Sequence, residues 1–145
     1  MNELTVRIAL RELVDRYAGA VDRKQRDEVA ALFMPDGELL IHGRGEQEPR
    51  RAYRGRKAIV EALGGLDRYD ITTHLVGNQL LDVVEGSRVT GETYCQASHL
   101  YGDRIYVVSV RYEDVFVYDM DRWLFAVRRQ RVDWAEDRPF HPGEF

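Results

Sequence analysis

Four long runs rich in apolar and β-branched residues fill the second half of this chain, at 73–84, 88–101, 104–119 and 122–134. Only three short breaks part them: Glu85-Gly86-Ser87, Tyr101-Gly102-Asp103 and Asp119-Met120-Asp121. Breaks this short join successive strands as antiparallel hairpins. Whatever precedes them must therefore pack on a sheet already committed to that order. Within "GETYCQASHLYG" the alternation of a strand puts Thr93, Cys95, Ala97 and His99 on one face and Tyr94, Gln96, Ser98 and Leu100 on the other. The first face is small and ends in an imidazole. It suits either a strand that lines a cavity or one lying under a packed helix.

The first half is helical in pattern. Leu4, Ile8, Leu13, Val14, Tyr17, Ala18 and Val21 recur near 3.6 residues and predict an amphipathic helix over 4–21. Val29, Ala30, Leu32 and Phe33 supply a shorter second helix, which "MPDG" at 34–37 should stop. "ELLIH", 38–42, reads as a short strand, and the arginine-rich segment 43–54 as a surface loop. "GRKAIVEALGGL" puts Ala58, Ile59, Ala62 and Leu63 on one helical face and ends in a glycine pair suited to a C-cap. Helices segregated from an antiparallel sheet make an α+β fold. There is no repeat or linker, so residues 1–145 read as one domain.

Composition sets outer limits. At 145 residues, 44% hydrophobic and 32% charged, the chain suits one soluble globular unit. A domain of this size buries roughly two-thirds of its unfolded surface. The net charge of −4 and the interspersed signs argue against a nucleic-acid face. No twenty-residue apolar run exists, and "MNELTVRIAL" lacks the basic and continuous apolar regions of a secretory signal. The lone Cys95 has no internal disulfide partner, which fits a reducing cytoplasm.

Several chemistries lack their motifs. Metal-binding patterns such as H-x-H or H-E-x-x-H are missing, as are G-x-S-x-G and a phosphate-binding glycine loop. Acid–base chemistry without a metal or cofactor remains, alongside simple binding of a small molecule. His42 and His141 read as exposed. His74, in "ITTHLVGN", and His99 sit on apolar strands, where a structural hydrogen bond or a functional role would each explain them. Asp22 and His74 would make a natural pair, because a carboxylate on one ring nitrogen fixes the tautomer and leaves the other nitrogen basic. Tyr17, five residues before Asp22, would offer a phenol to a substrate oxygen. The structural alternatives stand beside these: Asp22-x-x-Gln25 resembles a capping box, and Tyr17 fits the core stripe of its helix.

"ALRELVDRYAGAVDRKQRDEVAALFMPDGEL", "YRGRKAIVEAL", "ITTHLVGNQLLDV", "VTGETYCQASHL" and "DRWLFAVRRQRVDW" together resemble, in order and spacing, the SnoaL-like branch of the nuclear-transport-factor-2-like superfamily. The resemblance spans about residues 5–135. It implies a cone-shaped α+β barrel, with three N-terminal helices on a strongly curved, mixed but mainly antiparallel sheet that encloses one pocket. In dehydratase and dehydrochlorinase members an Asp ending the first helix and a His entering a strand form a catalytic dyad, matching Asp22 and His74. A functional Tyr five residues before that Asp matches Tyr17. A pocket arginine after the last Trp matches Arg128 best, with Arg129 and Arg131 close by, and a bulge would decide which points inward. A second histidine used by one dehydratase lies near His99. Thr93, Cys95, His99 and Phe33 are the expected substrate contacts.

The resemblance thus implies a cofactor-independent lyase or isomerase acting by proton abstraction and elimination. Its ligand would be a hydrophobic cyclic oxygenated molecule such as a steroid or polyketide. Two alternatives from the same family stand beside it. One is a non-catalytic binding module or partner subunit like the β subunits of ring-hydroxylating dioxygenases, with Tyr94, Gln96, Tyr106 and Tyr112 on an outer interface. The other is a polyketide aldol cyclase. Family analogy further implies a homodimer or homotrimer. The tail 135–145, with Phe140 and Phe145, would close the pocket mouth, swap to a neighbour or be disordered.

Overall fold

The computed structural model describes residues 1–143, apart from the side chains of Val83 and Glu85. The first helix, α1 (Glu3–Asp22), opens on Asn2, whose side chain accepts the backbone N–H of Thr5 at 2.8 Å. Its solvent face carries i,i+4 pairs such as Glu3–Arg7 and Glu12–Arg16, while Leu10, Leu13, Val14, Tyr17 and Val21 are buried. The second helix, α2 (Arg26–Ala31), is shorter than the apolar pattern predicts. Leu32 closes it, and Phe33 already opens strand β1 (Phe33–His42). "MPDG" does not simply end a helix. It forms an excursion inside β1, between the pairings Phe33↔Phe125 and Glu38↔Val127. Gly37 is needed there, since a Cβ would lie 2.9 Å from the Met34 carbonyl oxygen.

Part of the expected loop is also a strand. β2 (Arg51–Arg54) pairs antiparallel with Glu38–Ile41 of β1 at the sheet margin. A charged, four-residue edge strand carries little apolar signal, and its arginines guard an open edge. α3 (Arg56–Leu63) follows. The glycine pair does not turn the chain left-handed: Gly64 stays in the right-handed region and the chain tightens into a 3-10 turn, Gly64–Arg68.

β3 (Ile71–Glu85), β4 (Arg88–Tyr101), β5 (Arg104–Asp119) and β6 (Arg122–Pro139) form the expected hairpins, each closed by two residues. Gly86 and Gly102 take positive φ in the first two loops, Met120 and Asp121 in the third. The six strands run in the order β2-β1-β6-β5-β4-β3, antiparallel except for β1 against β6, and the sheet does not close. Register shifts in β3 and β6 bend the strands around the helices. The expected tail is shorter than the pattern predicts, because residues 135–139 continue β6 against β5 and Phe140 N–H bonds the Asp103 carbonyl. Phe145 lies outside the described residues. The core, with Leu10, Val14, Val29, Phe33, Ile59, Phe116 and Phe125 fully buried, lies between sheet and helices. No described helix is long and apolar enough to cross a membrane.

Candidate active site

The end of α1 sets up the site. Lys24 takes a left-handed conformation (φ 56°), Gln25 N–H bonds Ala20 C=O and Lys24 N–H bonds Val21 C=O. This is the paired hydrogen-bond pattern of a Schellman motif. It leaves Asp22 in the last helical turn, facing β3. Asp22 does not cap α2, whose N-cap, Gln25, makes no side-chain bond. Its carboxylate instead takes three donors from β3. Oδ2 accepts the His74 backbone N–H at 2.9 Å. Oδ1 accepts the Thr72 hydroxyl at 3.0 Å and lies 2.7 Å from His74 Nδ1.

Partial burial pushes the Asp22 carboxyl up, but the hydrogen bonds and charge of His74, with the Thr72 hydroxyl, hold it below its usual range. An ionised carboxylate only accepts, so Nδ1 carries the proton and Nε2 holds a lone pair. A helix C-terminus is an unfavourable place for a carboxylate, by about 0.3–1 kcal/mol. The geometry therefore serves the histidine at some cost to the helix.

His74 opens onto a cavity of about 330 Å³ between the sheet and the helices. That volume lies at the lower end of the range for small-molecule sites. Leu39, Ile41, Leu63, Leu66, Val108, Val110 and Val132 give it apolar walls, and Tyr17, Tyr53, Tyr69, Tyr106 and Tyr112 add phenol rings. A larger hollow, about 570 Å³, lies in the outer groove of α1 and α2, where Glu12, Asp15 and Arg16 face solvent and no histidine is near. The inner cavity sets histidines beside apolar walls. His99 faces it, its ring centroid 5.7 Å from that of His74. Its Nδ1 lies 3.1 Å from the Tyr106 carbonyl, so Nδ1–H donates there and Nε2 is the acceptor. Burial pushes the His99 imidazole below its usual value; the Tyr106 carbonyl opposes this, and the His74 and Arg68 charges reinforce it.

The other expected contacts lie elsewhere. Phe33, Thr93 and Cys95 are buried behind the cavity rather than in its wall. Phe33 packs edge-on against Tyr17, and burial pushes the Cys95 thiol up to about 11. Arg128 does not line the cavity either. A bulge at Ala126, between the pairings Phe116↔Phe125 and Val115↔Val127, switches which β6 residues point inward. Arg128 turns in and Arg129 and Arg131 do not, but its guanidinium is taken by buried Asp114, with Nε to Oδ1 at 2.9 Å and Nη2 to Oδ2 at 3.2 Å. Its Cζ lies 4.2 Å from the Tyr17 ring centroid and 3.7 Å from that of Tyr112. Arg128 thus braces the two phenol rings from behind. Tyr106 and Tyr112, expected on the outer face, point into the cavity, while Tyr94 stacks outside on Arg111.

Sequence reasoning missed Thr72, Tyr69, Tyr106, Gln130 and the arginines Arg51 and Arg68. Parity would have found two: Thr72 lies two residues before His74 on the same face, and Tyr106 is the register partner of His99. Arg51 and Arg68 sit in segments without strand or helix periodicity and gave no signal. Among the described residues, no group of three His, Cys, Asp or Glu side chains gathers as a metal site.

The profile of the SnoaL-like domain matches residues 2–129. The chain belongs to the SnoaL-like family. No curated protein matches it by sequence. Solved structures resemble this SnoaL-like chain along its whole length. A candidate scytalone dehydratase from Novosphingobium aromaticivorans is 24% identical, covers 96% of this chain and 93% of its own, and superposes with a TM-score of 0.84. A type 2 hexachlorocyclohexane dehydrochlorinase, LinA, is 19% identical over 98% and 97% of the two chains, with a TM-score of 0.83. The β subunit of a candidate aromatic-ring-hydroxylating dioxygenase, also from N. aromaticivorans, is 18% identical over 90% and 91%, with a TM-score of 0.78. At such identities the likeness is one of fold, and it places the SnoaL-like chain in the cone-shaped α+β class.

Proposed function

We propose that this protein is a cofactor-independent lyase or isomerase that removes a proton from carbon in a hydrophobic, cyclic, oxygenated small molecule such as a steroid or polyketide. The observation that carries the reading is the 2.7 Å contact between Asp22 and His74 Nδ1 at the cavity wall. His74 Nε2 takes the proton, and the C–H electron pair becomes the new double bond. In a dehydration the C–O bond breaks, and the leaving oxygen departs as water with a proton from the His74 imidazolium or the Tyr17 phenol. Asp22 fixes the tautomer and stabilises the imidazolium, while the buried Arg128–Asp114 pair holds Tyr17 in place. Proton donor and acceptor are both side chains, so the step calls for no added cofactor. Two structural relatives are called after eliminations, a dehydration and a dehydrochlorination, which supports the same class.

A positioned base contributes about 10²- to 10⁴-fold. His74→Ala should therefore slow loss of water, followed by mass spectrometry on ligands first found by soaking crystals with steroids and polyketides, by that factor. Turnover by His74→Ala at the wild-type rate would reject the assignment in favour of a binding module. Self-association through the outer sheet face belongs to the same proposal, supported by the exposed Ile71, Leu75, Leu80 and Trp134. A monomer by light scattering would refute that part alone.

A further inference from the structure

The charges on the cavity wall are unevenly distributed. Arg51 of β2 and Arg68 of the 3-10 turn both line the cavity and are exposed at its rim. Neither is within salt-bridge distance of a carboxylate among the described residues, although their neighbours are: Arg54 meets Glu38, and Arg26 meets Asp67. The acids nearby are engaged elsewhere. Asp137 is bound by Tyr101 and Arg104, Asp70 accepts Gly102 N–H, and Asp22 is covered by Thr72 and His74. Arg68 is also held in place. Its Nη2 donates to the Tyr69 hydroxyl at 2.7 Å, its Cζ stands 4.8 Å from the Tyr69 ring centroid, and Tyr69 itself packs at a tilt against His99, the ring centroids 4.7 Å apart. A guanidinium stacked on a fixed ring loses little freedom when it forms a forked bond to a carboxylate or phosphate.

We propose that the substrate carries an anionic group, a carboxylate or its equivalent, which Arg68 and Arg51 receive at the rim while the reacting carbon lies deeper, against His74. This rests on reading the cavity as the substrate site, and it adds the substrate's charge and its orientation. Among the described residues, every uncommitted charge on the wall is positive or belongs to a histidine. A neutral ligand would leave the two guanidinium groups to water, whereas an anion gains charge-assisted hydrogen bonds in a partly desolvated setting.

The test is the affinity of 2-naphthoate against 2-naphthamide, two flat bicyclic probes of the same shape, by titration calorimetry on the intact protein. The acid should bind roughly tenfold or more tightly, as expected for hydrogen bonds to a charged group. Raising salt from about 50 to about 500 mM should weaken the acid and leave the amide nearly unchanged. Arg68→Gln and Arg51→Gln should each erode the preference and together abolish it. Arg7→Gln, the same charge change on the outer face of α1, should preserve it. The titration reads binding without turnover, so this claim and the catalytic one fail separately. Equal affinity for acid and amide, no binding of the acid, or a preference that survives the double arginine substitution would overturn the proposal.

Discussion

Replacing Asp22 by Asn separates the dyad from a merely structural carboxylate, because the amide can keep the fold only by reversing the histidine. The His74 backbone N–H, 2.9 Å from Oδ2, is a donor and nothing else, so the Asn oxygen must take that place. The NH₂ then falls where Oδ1 was, facing Thr72 Oγ1 and His74 Nδ1. A hydroxyl can turn and accept. The imidazole can accept only by giving up its Nδ1 proton, which puts hydrogen on Nε2, the atom that must receive a proton from substrate. The expected loss of turnover is roughly 10²- to 10⁴-fold. Exchange of charge-assisted for neutral bonds costs about 1 kcal/mol of stability, or about 2–4 °C in a domain of this size. Asp22→Ala behaves differently. It strands the three donors that Asp22 accepts, at about 1–3 kcal/mol each, toward the lower end because the cavity admits water, yet it leaves the tautomer free. Asn should thus be the more stable variant and no more active than Ala. Long-range ¹⁵N–¹H NMR of the His74 ring reads the tautomer without any substrate: hydrogen on Nδ1 in the wild type, on Nε2 in Asp22→Asn. An Asn variant that kept hydrogen on Nδ1, or that turned over like wild type, would show that Asp22 does not set the His74 tautomer.

Arg128→Met should cost about 3–5 kcal/mol in urea unfolding, because it leaves Asp114 buried and unpaired. A cost under about 1 kcal/mol would show that the pair does not brace the cavity floor. His99 is held neutral in the fold, its value lying below the ordinary 6.5. As pH falls below 6.5 the unfolded chain takes up that proton before the folded one does, so wild type loses stability relative to His99→Gln. The gap between their urea midpoints should shrink from pH 8 to pH 5, and a widening gap would contradict the sign. Met120 holds φ 47° in an exposed two-residue hairpin loop. Met120→Gly should raise stability by about 0.5–1 kcal/mol in thermal unfolding, and a loss would mean that the loop is not left-handed in solution.

How much of this was legible in the chain depended on whether a residue's role was written in a period. The hairpins were, because β-branched runs broken by Gly86 and Gly102 admit few other arrangements. The inward face of β4 was too: Thr93, Cys95, Ala97 and His99 are all buried. β2 was not, because a charged edge strand is stabilised by its neighbour's backbone and not by its own apolar residues. Nor was the bulge at Ala126, an event of one residue that reversed the parity of β6 as far as a second shift at Asp133 and turned Arg128 inward, behind the phenol rings.

Asp22 lies between these cases. Local rules favour it as a cap for α2, since Asp-x-x-Gln before an apolar stretch is what a capping box looks like. What overrides them touches Asp22 in space but lies about fifty residues away in sequence: Thr72, the backbone of His74 and its ring converge on one carboxylate. No window of the sequence contains both partners, so periodicity cannot see the pair and only a family pattern could suggest it. The Schellman turn at Lys24 is the local device that makes the convergence possible. It ends α1 at Asp22 and releases that side chain toward the sheet. A substitution at Lys24 that disfavours the left-handed conformation should therefore disturb the His74 tautomer as well as the helix end.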